Sequence, residues 1–179
     1  MKMKKWFSQV TAQDTKIWVS LYLVVSLVGL VFGAFIMVPA VIKTAPAMVR
    51  WVTFWSGSVG IVIGLFVATY FGYLLYWIAR KILKQEPVDK VLVKRSFYLT
   101  TSINGVVIGL LQLLLTVFGV AVDNKIMLVA TGLLGACFSA WLIAEFFKQL
   151  LKRAQLGQLV AGMVLVLRLL PIAWQLWRG

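Results

Sequence analysis

Few residues in this chain could do chemistry, and the gaps among them narrow the field. There is no histidine, and the five acids are Asp14, Glu86, Asp89, Asp123 and Glu145. All five fall in loops or at the ends of apolar runs. No two are spaced to form a carboxylate pair inside a helix, so paired-acid catalysis and a carboxylate metal site are not expected. No enzymatic activity, metal or cofactor is predicted. One basic residue stands apart: Arg168 lies inside the apolar run LVAGMVLVLRLLPIAW. Such a charge is costly in lipid, and by default it marks a ligand site or an ion pair. It could bind an anionic solute or a lipid headgroup, or pair with an acid, for which Asp123 is the candidate at its depth. Alternatively it could snorkel toward Trp174, about 9 Å along the helix. Pro171 would loosen the helix at that point.

Another apolar run carries Asn104, Gln112 and Thr116. Polar groups in lipid need partners, and hydrogen bonds between helices there are worth about 0.5–2 kcal/mol each. A path for a polar solute along this face is the other reading. Glu145 would most simply pair with Lys148 or Lys152. Arg168, Asp123, Gln112 and Asn104 are thus the candidate ligand or ion-pair residues.

The elements that must position them are membrane spans. Of 179 residues, 62% are hydrophobic and 13% charged, about half the charged share of a soluble domain. Five apolar runs are long enough to cross a bilayer, at about residues 17–38, 51–80, 96–122, 126–147 and 156–177. The expected fold is all-α: a single polytopic membrane helix bundle over residues 1–179. Asp14 or Thr15 is the expected N-cap of the first span and Pro39 its end. The first apolar run is full length and ends without an A-x-A pattern, so it reads as a retained span. Ahead of it, Met3, Trp6, Phe7 and Val10 recur at helical spacing beside Lys2, Lys4 and Lys5. That predicts a short interfacial helix on an anionic leaflet, or else a basic tail that only sets orientation.

Small residues form stripes on the spans: Gly29 and Gly33; Gly57, Gly60, Gly64 and Gly72; Gly105 and Gly109; Gly132 and Gly135. Their expected role is close helix packing. The second span, with the longest stripe, is the expected packing centre.

Orientation follows from the basic residues. The N-terminal tail, the loop at 80–95 and the turn at 148–153 carry thirteen Lys or Arg, and the opposite ends carry four: Lys43, Arg50, Lys125 and Arg178. The positive-inside rule then places the N-terminus in the cytoplasm. Arg80, Lys81, Lys84, Lys90, Lys94 and Arg95 make the densest basic surface, suited to anionic lipid or a protein partner. The net charge of +13 is explained by topology, so nucleic acid is not an expected partner. Cys137 has no second cysteine to pair with.

The stretch GSVGIVIGLFVATYFGYLLYWIARKILKQEPVDKVLVKRSFYLTTSINGVVIGLLQLLL, followed by VDNKIMLVATGLLGACFSAWLIAEFFK, resembles bacterial members of the Yip (Ypt/Rab-interacting protein) membrane family. The shared pattern is a glycine-rich span, a basic turn with a short amphipathic piece, and a span opening on a Tyr-containing segment. It covers about two thirds of the chain and includes no acidic Tyr-Gly-Pro region. The resemblance implies an integral membrane scaffold in a bacterial plasma membrane.

The leading expectation is a non-enzymatic scaffold or accessory subunit acting through helix and lipid contacts, with another membrane protein or a second copy as partner. One alternative is a transport component binding an anionic or polar solute near Arg168. A further one is an immunity or resistance protein against a membrane-active peptide.

Overall fold

A computed structural model describes residues 6–36, 46–120 and 124–177. Asp123, Pro39, Lys43 and Arg178, together with residues 1–5, lie outside the described residues. The fold is a bundle of five helices: α1 (Ala12–Val31), α2 (Ala47–Ile82), α3 (Lys90–Val117), α4 (Lys125–Gln149) and α5 (Ala154–Trp177). A π-helical turn, Phe32–Ile36, continues α1. All five are long and apolar enough to cross a membrane.

Local chemistry sets the helix ends, at places that differ from the sequence expectation. Thr11, not Asp14 or Thr15, caps α1. Its Oγ1 accepts from the Asp14 N–H at 3.2 Å, while the Asp14 carboxylate accepts from the Thr11 N–H at 2.8 Å. This reciprocal pair satisfies two amides that would otherwise have no partner. Asp89 accepts from the Val91 N–H at 2.8 Å and so starts α3 six residues earlier than expected. Lys90 to Val93 form the first turn of α3, with Val93 fully buried. At its other end α3 stops at Val117, short of the expected residue 122. Gly119 takes φ +88°, and the amides of Gly119 and Val120 bond back to the carbonyls of Thr116 and Leu115. Only glycine adopts that conformation without strain, so it closes the helix. Asn124 caps α4 through the Met127 N–H at 3.1 Å.

The packing centre is α3, not α2. It lies against α1, α2 and α4, while α5 packs on α4 and α2. α3 earns this place by having buried residues on most of its turns, from Val93 to Thr116, whereas α2 turns much of its length outward. Two apolar clusters hold the end of the bundle where α1 and α3 begin. One gathers Tyr76, Phe97, Phe147, Leu156 and Val160. The other gathers Phe7 and Val10 with Leu99, Ile103, Leu142 and Phe146.

That second cluster alters the reading of the N-terminal segment. Trp6–Ser8 form a helical turn, but Phe7 and Val10 are buried against protein and do not lie on a surface. The Phe7 ring meets Phe146 edge-on at 4.8 Å between centroids. Such a pair adds about 0.5–1.5 kcal/mol beyond its burial.

The glycine stripe on α2 is divided. A methyl at Gly57 would press on Leu30, and one at Gly72 would come within 2.5 Å of the Phe97 ring. Gly60 and Gly64 face open space, as do Gly29 and Gly33 on α1 and its π-turn. Close packing is therefore not the role of these four within the bundle. Elsewhere the small faces do admit neighbours: Gly105 admits Tyr22, Gly109 admits Val25, Gly132 admits Ile172, and Gly135 admits Ile108.

Candidate functional site

The polar residues of the bundle line up on one face of α3. Thr100, Asn104 and Gln112 fall at multiples of four, with Thr116 one turn further on, and this spacing keeps them on one side of a helix. The face turns toward α4 and α5, so its groups must find partners among them. Gln112 donates from Nε2 to the Thr131 hydroxyl of α4 at 3.1 Å. Thr131 in turn donates to the Met127 carbonyl, and Thr116 to the Gln112 carbonyl, both at 2.8 Å. A double-mutant cycle on Gln112→Leu and Thr131→Val is expected to return a coupling of about 0.6 kcal/mol, the usual value for such bonds. A coupling of zero in unfolding titrations would mean the bond does not form.

About two turns toward the start of α3, Asn104 is almost fully buried. With its amide oriented to satisfy both neighbours, it donates to the Gly135 carbonyl at 3.0 Å and accepts from Arg168 Nη1 at 3.2 Å. Three helices meet in this contact: α3 supplies the amide, α4 a carbonyl, and α5 the guanidinium. Gly135 matters here because α4 must come close for its backbone to be the acceptor. A Cβ on it would already stand 3.3 Å from Ile108 and 3.7 Å from the Asn104 amide.

Arg168 therefore turns into the bundle. Outward snorkelling toward Trp174 does not occur, and Asp123, the acid expected as its partner, lies outside the described residues. Among the described residues Arg168 makes no ion pair. Its charge is met by one neutral amide, although a guanidinium carries five N–H donors. Glu145 is engaged elsewhere, accepting from Gln149 at 3.4 Å, in place of the expected lysine.

Two cavities flank this contact. The larger, of about 410 Å³, lies between α1, α3 and α4. Ser26, Gly29 and Gly33 line it on one side, and Asn104, Gly109 and Gln112 on the other. The glycines with open space on α1 thus widen a cavity instead of seating a helix. The smaller cavity, of about 100 Å³, is where α2, α3, α4 and α5 converge. Arg168, Thr100 and Thr101 are its polar residues, set among Gly72, Phe97 and Ile143. The Thr100 hydroxyl is buried and finds no hydrogen-bond partner among the described residues. Asn104 stands between the two spaces, lining one and bonded to the arginine that lines the other.

Arg168, Asn104 and, eight residues further along α3, Gln112 form one polar band. Thr100, Thr101 and Thr131 complete it, and sequence reasoning missed them. The signal for Thr100 was present: it is one turn before Asn104 on the same face. The basic surface is not uniform. Lys81, Lys84 and Lys90 are exposed, while Arg80, Lys94 and Arg95 are half-buried. Lys81 stacks over Trp77 at 3.9 Å, and Arg95 donates to the Val10 carbonyl at 3.4 Å. Among the described residues no cluster of three or more His, Cys, Asp or Glu could hold a metal ion.

No family model, no curated protein and no solved structure matches this chain. The site's chemistry alone must therefore carry the functional reading.

Proposed function

We propose that this chain is a small multi-span transport component that binds a small anion inside the bundle at Arg168. One observation carries the reading. Among the described residues Arg168 faces inward with a neutral partner, beside a cavity also lined by Thr100, whose buried hydroxyl has no hydrogen-bond partner there. A buried cation without a counter-charge is electrostatically unsatisfied, and an anion entering beside it gains a full charge interaction in a medium of low dielectric. Hydroxyls and a guanidinium are the donors that strip and replace an anion's hydration shell. The cavity next to Arg168 has room for about three water-sized groups, which favours a halide or a small oxyanion over a metabolite. The larger cavity beyond Asn104 would serve as the approach from one side. Substrate sites of transporters lie near the bilayer midplane, and Pro171 sits three residues from Arg168 in a helix that stays continuous through it. In this reading the membrane is a bacterial plasma membrane with the N-terminus in the cytoplasm.

Reconstitution tests it. Proteoliposomes carrying the wild-type chain should take up nitrate or iodide faster than empty vesicles, and Arg168→Gln should remove at least about nine tenths of that excess. Equal uptake by wild type and variant would refute the assignment.

A scaffold role remains the second reading, favoured by a different observation. Gly60 and Gly64 on α2 meet nothing within the bundle, and Val59, Ile63 and Val67 beside them are exposed. A helix of another membrane protein, or of a second copy, could approach there, in keeping with the Yip-like pattern of the sequence.

A further inference from the structure

A groove separate from the Arg168 site opens at the end of the bundle where α1 and α3 begin. Helices α1, α2 and α3 leave a space there of about 620 Å³, within the size range of small-molecule sites. Its walls are apolar, with Leu23 from α1 and Val62 and Phe66 from α2. Three cations line it: Lys16 on α1, and Lys94 and Arg95 on α3. The lining of α1 runs from Ala12 to Leu23, about 16 Å at 1.5 Å per residue. All three cations belong to its outer part and the apolar residues to its deeper part.

Two of the three cations are held in place. The Lys94 ammonium sits over the Tyr70 ring at 4.1 Å from its centroid. Arg95 is tethered through one Nη1 hydrogen bond to the Val10 carbonyl, and among the described residues its other donors have no partner. Among the described residues no acid lines the groove. The two acids nearest in sequence, Asp14 and Asp89, serve the N-termini of α1 and α3. Three positive charges over an apolar slot have a specific complement: a single negative headgroup with a hydrocarbon tail.

We infer that the groove holds one anionic glycerophospholipid. Its phosphate lies among Lys16, Lys94 and Arg95, and an acyl chain runs along Leu23, Val62 and Phe66. Basic pockets between spans select anionic headgroups for the same reason. A zwitterionic lipid fits the slot as well, but its own cation opposes the three on the protein. The site rests on charge and shape at this groove and does not depend on what Arg168 binds.

Native mass spectrometry of the detergent-solubilised full chain tests this, with phosphatidylglycerol or phosphatidylcholine of matched acyl chains added. The wild type should retain phosphatidylglycerol with at least about tenfold preference and a stoichiometry of one. The triple variant Lys16→Gln, Lys94→Gln, Arg95→Gln should lose the preference, while Lys81→Gln with Lys84→Gln, outside the groove, should keep it. Val62→Trp, which fills the slot and leaves every charge in place, should lower retention by a similar factor. That variant also decides the matter if the triple variant fails to fold. Equal retention of the two lipids by wild type would overturn the inference. So would full retention by Val62→Trp, or an equal loss from the Lys81 and Lys84 pair.

Discussion

Arg168→Met is expected to abolish anion binding while leaving the bundle as stable as wild type, or more so. An arginine at the centre of a span costs about 2.5–3.5 kcal/mol on insertion. Among the described residues only Asn104 answers it directly. Methionine removes that cost and fills much the same volume. Asn104 then loses one acceptor interaction but keeps its bond to the Gly135 carbonyl, at a cost of about 1 kcal/mol. The net expectation is a gain of about 1.5–2.5 kcal/mol, read as a higher unfolding midpoint in a denaturant titration in micelles. Functional and structural roles for the arginine thus predict opposite signs. If the variant instead loses more than about 2 kcal/mol, the charge is a structural part of the α3–α4–α5 contact, and the transport reading loses its main support.

Gly157→Ala should be the most damaging single-methyl addition in the bundle. Its new Cβ would stand 2.5 Å from the Phe147 Cβ and 3.3 Å from the Ala144 carbonyl oxygen. Neither obstacle can swing away, since one is fixed to the backbone and the other is backbone. Phe147 itself is fully buried, so α4 and α5 must separate, at about 1–3 kcal/mol. Gly64→Leu, a far larger change, meets nothing within 4 Å and should move stability by less than about 0.5 kcal/mol. Thermal unfolding of both variants in one detergent checks the pair. A reversed order would mean that a partner, or a second copy, covers α2 at Gly64.

These two glycines also show what the sequence could and could not tell. Apolar runs bounded by charges mark spans because lipid imposes one requirement on each span separately, and all five were legible. A stripe of glycines says only that a face is able to receive a helix. Which face is used depends on how helices are rotated against one another, and that is decided by partners far along the chain. Gly60 and Gly64 belonged to the longest stripe and are open. Gly157 belonged to no stripe, yet it lies just after a tight turn, where the two arms of a helical hairpin are closest. The site divides in the same way. Arg168, Asn104 and Gln112 were visible as polar residues in apolar runs, but the pairing of Arg168 with Asn104 needed the register of α5 on α3. Thr11 was overlooked as a cap because Asp14, the more obvious candidate, supplies the other half of the same box.

The burial of Phe7 and Val10 has a consequence for the order of events during synthesis. Their seat is formed by Leu99 and Ile103 from α3 and by Leu142 and Phe146 from α4. When Phe7 leaves the ribosome, the other half of that seat is still about 140 residues from being made, a delay on the order of ten seconds at typical elongation rates. Until then the first residues have nowhere to dock, and their aromatic rings remain available to membrane or chaperone. A segment made ahead of the helices that seat it is thus late to reach its place, and it closes the bundle like a latch. A fusion tag joined near Trp6 would act on that late step and leave the insertion of the spans unaffected.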